Sequence, residues 1–249
     1  MGIARTWLGG TNPITFKIDD SDPSGTASGQ ALRTNWLFLV ELSALIALAV
    51  ADAFGLVPLS RTPFLLLLCW ASLRFRRLAW RDIGLKRAAR LARAITLGIL
   101  AGLAIELLAI NITTPWIASI TGTPPDLSDF RDLIGNLQLL LLLLFVSWIL
   151  AAVGEELAFR GYLMNRFAET LNGTRGAWVA SLVLVSIYFG IGHSTQGITG
   201  IVQESLSGFW LGVLFLASGR NLTVPIIAHG VSNTLALLLI YLNRYPGLS

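Results

Sequence analysis

The chain has two histidines in 249 residues, and each lies at the edge of or inside an apolar run with a partner four residues away. His193 closes the run Phe189-Gly190-Ile191-Gly192-His193, and His229 opens His229-Gly230-Val231-Ser232-Asn233. A spacing of four puts both members of a pair on one helical face, so a phenyl ring accompanies one imidazole and a carboxamide the other. A third apolar run ends in Gly154-Glu155-Glu156-Leu157-Ala158-Phe159-Arg160-Gly161. Glu156 and Arg160 form an acid-before-base pair at the favourable helical spacing, while Glu155 is turned about 100° away from Glu156. One carboxylate can then be neutralised by the arginine and the other left to handle a proton. The bland alternatives are a charged helix end and histidines that only hydrogen-bond between helices. Two imidazoles, an unpaired carboxylate and a carboxamide at helical spacing are harder to account for as packing, because burying such groups in lipid costs several kcal/mol.

The elements that must position these groups are membrane helices. Hydrophobic residues make up 54% of the chain and charged residues 13%, with a mean hydropathy of +0.70, against about 25% charged for soluble domains. Too little polar surface remains to cover a water-facing globule. Seven apolar segments follow a polar stretch at 1–35, at about 36–57, 63–75, 94–113, 137–158, 177–193, 198–217 and 222–242. Spans of roughly 20 residues are expected to be helical, since open strands leave backbone groups unsatisfied in lipid. The expected architecture is all-α: a polytopic transmembrane bundle of about seven, within six to eight, spans. A polar, mobile tail is expected over 1–35 and the helical domain over 36–244, with its working core at about 94–242.

Charge sets the expected topology. Arg74, Arg76, Arg77, Arg81, Lys86, Arg87, Arg90 and Arg93 face one acid, Asp82, between the second and third segments. That marks a cytoplasmic loop in contact with anionic lipid. Seven spans put the N-terminus inside and the C-terminus outside; an eighth would reverse one end. The net charge of +4 is a topology signal, and no nucleic-acid partner is expected. Cys69 is alone and forms no internal disulfide. No cleavable leader is visible in the polar start, and Met1-Gly2 with Thr6 fits only a loose acylation pattern.

Spacing allows the groups to meet. Glu155 lies 17 residues before Asn172 and His193 lies 19 after Thr174, the expected turn being Asn172-Gly173-Thr174. Both are then roughly 25–29 Å from the turn of an antiparallel hairpin. The hairpin must protrude several turns beyond the membrane, which Asn165, Arg166 and Glu169 permit. His229 lies seven residues into the last span, some 10 Å from its start. Glu41, Asp52, Glu106 and Glu204 are further acids in apolar runs with no motif around them. Each is expected to line a watery cavity, pair with an arginine or lie nearer an interface, Glu204 being the best placed to reach the cavity.

Glu-Glu-x3-Arg, Phe-x3-His and His-x3-Asn occur in that order on successive segments, and together they resemble the CPBP family of CAAX prenyl endopeptidases and bacteriocin-processing membrane proteases (the Abi family). Arg81-Asp82-Ile83-Gly84-Leu85 and Ser218-Gly219-Arg220-Asn221-Leu222 also look like family stretches, so the resemblance covers roughly 74–240. It implies that Glu155, with His193, activates water, that His229 and Asn233 stabilise the oxyanion, and that Glu156 and Arg160 hold the helix end, with Phe189 in support. A neutral amide and an imidazole suit that donor role.

The resemblance implies an intramembrane endopeptidase acting on a membrane-associated or lipidated peptide. A required cofactor is not expected. Zinc is the alternative, with Glu155, His193 and His229 as ligands, though the usual His-Glu-x2-His helix is absent. Two other functions compete: a non-catalytic self-immunity or scaffold protein of the same family, and a proton or solute pathway, for which no inverted repeat is evident. Expected partners are membrane lipids and a peptide or protein substrate. The expected location is a bacterial cytoplasmic membrane.

Overall fold

A computed structural model describes residues 27–57 and 60–248. The acylation pattern and the tail up to residue 26 lie outside the described residues. Among the described residues every regular element is helical. The seven apolar segments correspond to seven helices: α1 Ala27–Ala53, α2 Thr62–Phe75, α3 Leu91–Thr121, α4 Leu137–Thr170, α5 Arg175–Ile191, α6 Gly197–Ala217 and α7 Thr223–Tyr241. α3, α4, α7 and the stretch Ser194–Ala217 that contains α6 are each long and apolar enough to cross a membrane, and α2 and α5 are shorter apolar helices. Apolar side chains also cover the outside, where Phe145 (67%), Trp116 (62%) and Val179 (60%) are exposed. In water such a belt would aggregate; in lipid it is the solvated face. This is an integral, multi-pass helical membrane protein.

Three boundaries differ from expectation. α1 starts at Ala27, inside the stretch read as tail, because Ala-Ser-Gly-Gln-Ala-Leu-Arg supplies enough helix formers to extend the apolar run backwards. α3 passes 113 through a wide π turn, Ala109–Thr113, directly before Pro115. Proline has no N–H for the carbonyl four residues back, and the wide turn absorbs that break. α4 runs to Thr170 rather than 158, and its central Ser147–Leu163 is wound as π-helix. Its last turns are the protrusion that the hairpin geometry required. Asn172 and Gly173 then take left-handed backbone (φ 67° and 61°), and the Thr174 hydroxyl caps α5 by accepting from the Ala177 N–H.

The core forms where α2, α4, α5 and the α6–α7 corner meet, around Leu65, Phe159, Leu163, Phe189, Phe215 and Leu222. α3 lies against α7 through Gly98 and Gly102, where an added Cβ would strike Ile227 and the Ala228 carbonyl respectively. Small residues four apart let two helix backbones approach closely, the usual device where lipid removes any hydrophobic drive between helices. That approach fixes α7, and with it His229 and Asn233.

Three of the four acids without a motif find distinct partners. Glu41 pairs with Arg76 at 2.9 Å and Arg166 at 3.2 Å, and Asp52 with Arg61 at 3.7 Å. Glu106 instead accepts from the hydroxyls of Ser232 (2.8 Å) and Tyr245 (3.2 Å). Tyr245 lies beyond α7, where burial, and then the Glu106 carboxylate, push its phenol above the ordinary range, so it remains a donor.

Candidate active site

The π-wound part of α4 delivers both carboxylates. Glu156 is fully buried, and its Oε1 accepts from Arg160 Nη1 at 2.7 Å, the pair expected from their spacing. The same oxygen lies 2.9 Å from Nδ1 of His229, a contact that spacing along one helix cannot reveal. Arg160 is also buried, donates to the Gly208 carbonyl at 2.9 Å, and lies 4.6 Å from the centre of the Phe189 ring. A buried pair needs such extra hydrogen bonds to offset the loss of hydration.

Glu155 faces elsewhere. Its Oε1 accepts from the Thr62 hydroxyl at 3.3 Å, and its Oε2 lies 3.9 Å from Nε2 of His229. Thr62 opens α2, with Pro63 in the first turn, where the missing N–H costs nothing. α2 can come this close because residue 154 is glycine: a Cβ there would collide with the Thr62 methyl. The carboxylate is thereby placed at the N-terminal end of a helix, the end that favours negative charge.

His193 lies two residues past the end of α5, not within a helix, since the chain leaves helical geometry after Ile191. Its Nδ1 nonetheless bonds the Phe189 carbonyl at 3.0 Å, and the two rings are 5.0 Å apart. The expected Phe189–His193 pairing therefore persists without a continuous helix. Arg61 sets the position: its guanidinium occupies the space over Gly192 and donates to the Phe189 carbonyl at 3.3 Å. Glu155, Arg61 and the other imidazole, His229, lie near His193. Phe189 touches both imidazoles, with its ring edge-on to His229 at 6.0 Å.

Asn233 sits one turn beyond His229 and donates to the Ser147 hydroxyl at 3.0 Å, which leaves its second N–H open. Both residues line a small cavity of about 40 Å³, together with Phe189, Glu106, Glu204 and Ser232. The structure thus brings Glu155, Glu156, Arg160, Phe189, His193 and His229 into one cluster, and joins Asn233 to it across the cavity wall. Thr62, Arg61 and Ser147 were not legible as site residues. Their only signal was a polar residue beside an apolar run.

Hydrogen-bond roles fix both rings. A carbonyl or carboxylate can only accept, so each Nδ1 carries a proton, and in its neutral form each ring offers a lone pair at Nε2. Such support behind Nδ1 is also common for metal-bound histidine. Yet among the described residues no three His, Cys, Asp or Glu side chains are gathered into a set able to hold an ion.

Residues 137–235 match the family described as Rce1-like, type II CAAX prenyl endopeptidase Rce1-like. That stretch carries Glu155, Glu156, Arg160, Phe189, His193, His229 and Asn233. That segment is similar to the Rce1-like family. Its 99 residues span α4 to most of α7 and lie inside the core expected at 94–242, while α1 to α3 fall outside it. Neither the curated proteins nor the solved structures provide a match to the chain.

Proposed function

We propose that the protein is an intramembrane endopeptidase that hydrolyses a peptide bond of a membrane-associated or lipidated peptide with a glutamate- and histidine-activated water. The observation that carries this reading is the division of labour between the adjacent carboxylates. Glu156 is tied to Arg160 and His229 Nδ1, while Glu155 has only one long hydroxyl bond and faces His229 Nε2. A structural charge cluster would pair both acids.

In the proposed reaction a water lies between Glu155 and Nε2 of His193, both of which can accept its hydrogens. Glu155 takes one proton as the water oxygen bonds to the substrate carbonyl carbon. The carbonyl oxygen becomes the oxyanion and receives the open N–H of Asn233. His229 cannot donate through Nε2 in its neutral form, because its proton is on Nδ1. It becomes a donor when a proton reaches Nε2, and the Glu155 oxygen 3.9 Å away is placed to supply one through a bridging water or substrate atom. Nε2–H then serves the oxyanion and afterwards the leaving amine, as the C–N bond breaks and the tetrahedral centre collapses to a carboxylate. Arg160, Glu156 and Phe189 orient the two imidazoles.

The deciding experiment compares purified wild type with Glu155→Gln on prenylated and unprenylated membrane peptides, with products read by mass spectrometry. Loss of a general base lowers the rate by about 100- to 10,000-fold. Equal product from both would remove Glu155 from the mechanism. Full phenotypic rescue by the variant in cells would favour a scaffold.

A further inference from the structure

A second cavity, of about 200 Å³, opens at the end of the bundle that carries the basic loop, away from the cluster around Glu155. Ligand sites combine apolar walls with a few placed polar groups. Leu73, Leu78, Ile83 and Trp178 supply apolar wall here, from the end of α2, the following loop and the start of α5. Two guanidiniums supply the polar part. Arg166 is 4% exposed; its Nε and Nη1 bond Glu41 and Glu169, and its Nη2 has no hydrogen-bond partner among the described residues. Leaving a buried charged donor unmade costs more than a typical hydrogen bond contributes.

Arg220 is the second. It adopts left-handed backbone (φ 59°), uncommon for a residue with a Cβ, and its guanidinium lies over the Trp178 ring at 5.0 Å. No acid pairs with it among the described residues, in contrast to Arg76 and Arg166. The corner that holds it is firmly built: the Leu222 N–H bonds the Gly84 carbonyl at 3.0 Å, and the Asn221 amide bonds the Lys86 carbonyl at 2.9 Å. Strained backbone that persists in a rigid corner marks a constrained position.

The cavity's two acids are already engaged. Asp82 accepts from the Ala79 N–H at 2.8 Å, and Glu169 is bonded to Arg166. Asp82 keeps its charge, beside Arg81 at 3.7 Å, so the groups left for an anion are the Arg220 guanidinium and Nη2 of Arg166, beside apolar wall. The geometry points to a binding site for one anionic phospholipid, with an acyl chain along Leu73, Leu78 and Ile83 and the phosphate between Arg166 and Arg220. The site is separate from the peptidase centre and stands or falls independently of it.

The test uses the full chain in detergent, titrated with dioleoyl-phosphatidylglycerol, dioleoyl-phosphatidylcholine or inorganic phosphate and read by native mass spectrometry. One phosphatidylglycerol is expected to be retained in preference to phosphatidylcholine, and millimolar phosphate is expected not to displace it. Arg220→Gly removes the cation while giving the φ 59° position the residue that suits it, so the fold is retained; occupancy is expected to fall about fivefold. The double variant Arg87→Gln/Arg90→Gln, on the exposed loop, is expected to leave the bound lipid in place. Equal retention of the two lipids, displacement by phosphate, or an unchanged Arg220→Gly variant would each overturn the site. Equal losses from the loop and cavity variants would instead assign the effect to general attraction between basic residues and anionic lipid, and would overturn it as well.

Discussion

Nδ1 of His229 lies 2.9 Å from Oε1 of Glu156, while Nε2 of the same ring faces Glu155 at 3.9 Å. Two adjacent carboxylates therefore address opposite nitrogens of one imidazole. The first-named contact is close, buried and shared with Arg160; the second leaves room for a water or a substrate atom. The roles of the two acids follow from that asymmetry, since a group held through one oxygen by two fixed partners orients and a loosely held one is free to exchange protons.

The two positions should therefore respond differently to the same change. Glu156→Gln leaves Arg160, 1% exposed, without its carboxylate, and breaking a buried pair typically costs about 3–5 kcal/mol. A clear drop in thermal midpoint in detergent is expected, with loss of turnover. Glu155→Gln removes a carboxylate with one 3.3 Å hydrogen bond, so its midpoint should remain near wild type while turnover falls. Equal destabilisation by both would contradict the assignment.

Asn233 offers a sharper probe of the oxyanion. Its amide has one N–H spent on Ser147 and one open toward the cavity. Asn233→Ala is expected to lower kcat by about 100- to 1,000-fold, with KM little changed. Ser147→Ala, which removes only the amide's fixed partner, should cost far less. Similar losses from both would mean that Asn233 works only as a strut between α4 and α7.

The helical class, the seven elements and the Glu156–Arg160 and Phe189–His193 pairs were legible in the sequence, because each depends on composition or on residues within one turn. The His229–Glu156 contact was not: it joins α4 to α7 across 73 residues, and no local period encodes it. The π winding of Ser147–Leu163 was equally invisible, since it shifts hydrogen bonds without changing residue types. Arg61 and Thr62 were overlooked because their importance depends on what packs against them, the empty places beside Gly192 and Gly154. Glu106 and Glu204 were visible as buried acids, but only the folded chain puts both on the cavity shared by His229 and Asn233.

Metal dependence has a direct measurement. If water is activated by Glu155 and His193 as proposed, turnover is expected to survive prolonged treatment with a strong chelator. Loss of activity that zinc restores, with zinc recovered stoichiometrically in the purified protein, would replace the proposed water activation with metal chemistry.

Gly192 tests whether Arg61 positions His193. An alanine methyl at 192 would occupy the volume now filled by the Arg61 guanidinium. That guanidinium is the far end of a flexible side chain, so it can move aside, but only by giving up the Phe189 carbonyl and the 3.7 Å contact with Asp52. The fold should survive, since neither contact is a strong one. The Phe189 carbonyl, which also receives His193 Nδ1, would lose its second donor, and the imidazole would lose the cation packed beside it. Displacement of about 1 Å at a reacting group can cost on the order of 100-fold in rate, so Gly192→Ala should lower kcat by about 10- to 100-fold with little change in thermal midpoint. Arg61→Lys in the same background should not restore activity, because an ammonium lacks the planar fork that reaches Phe189 and Asp52 together. Wild-type turnover in Gly192→Ala would show that His193 holds its position without Arg61.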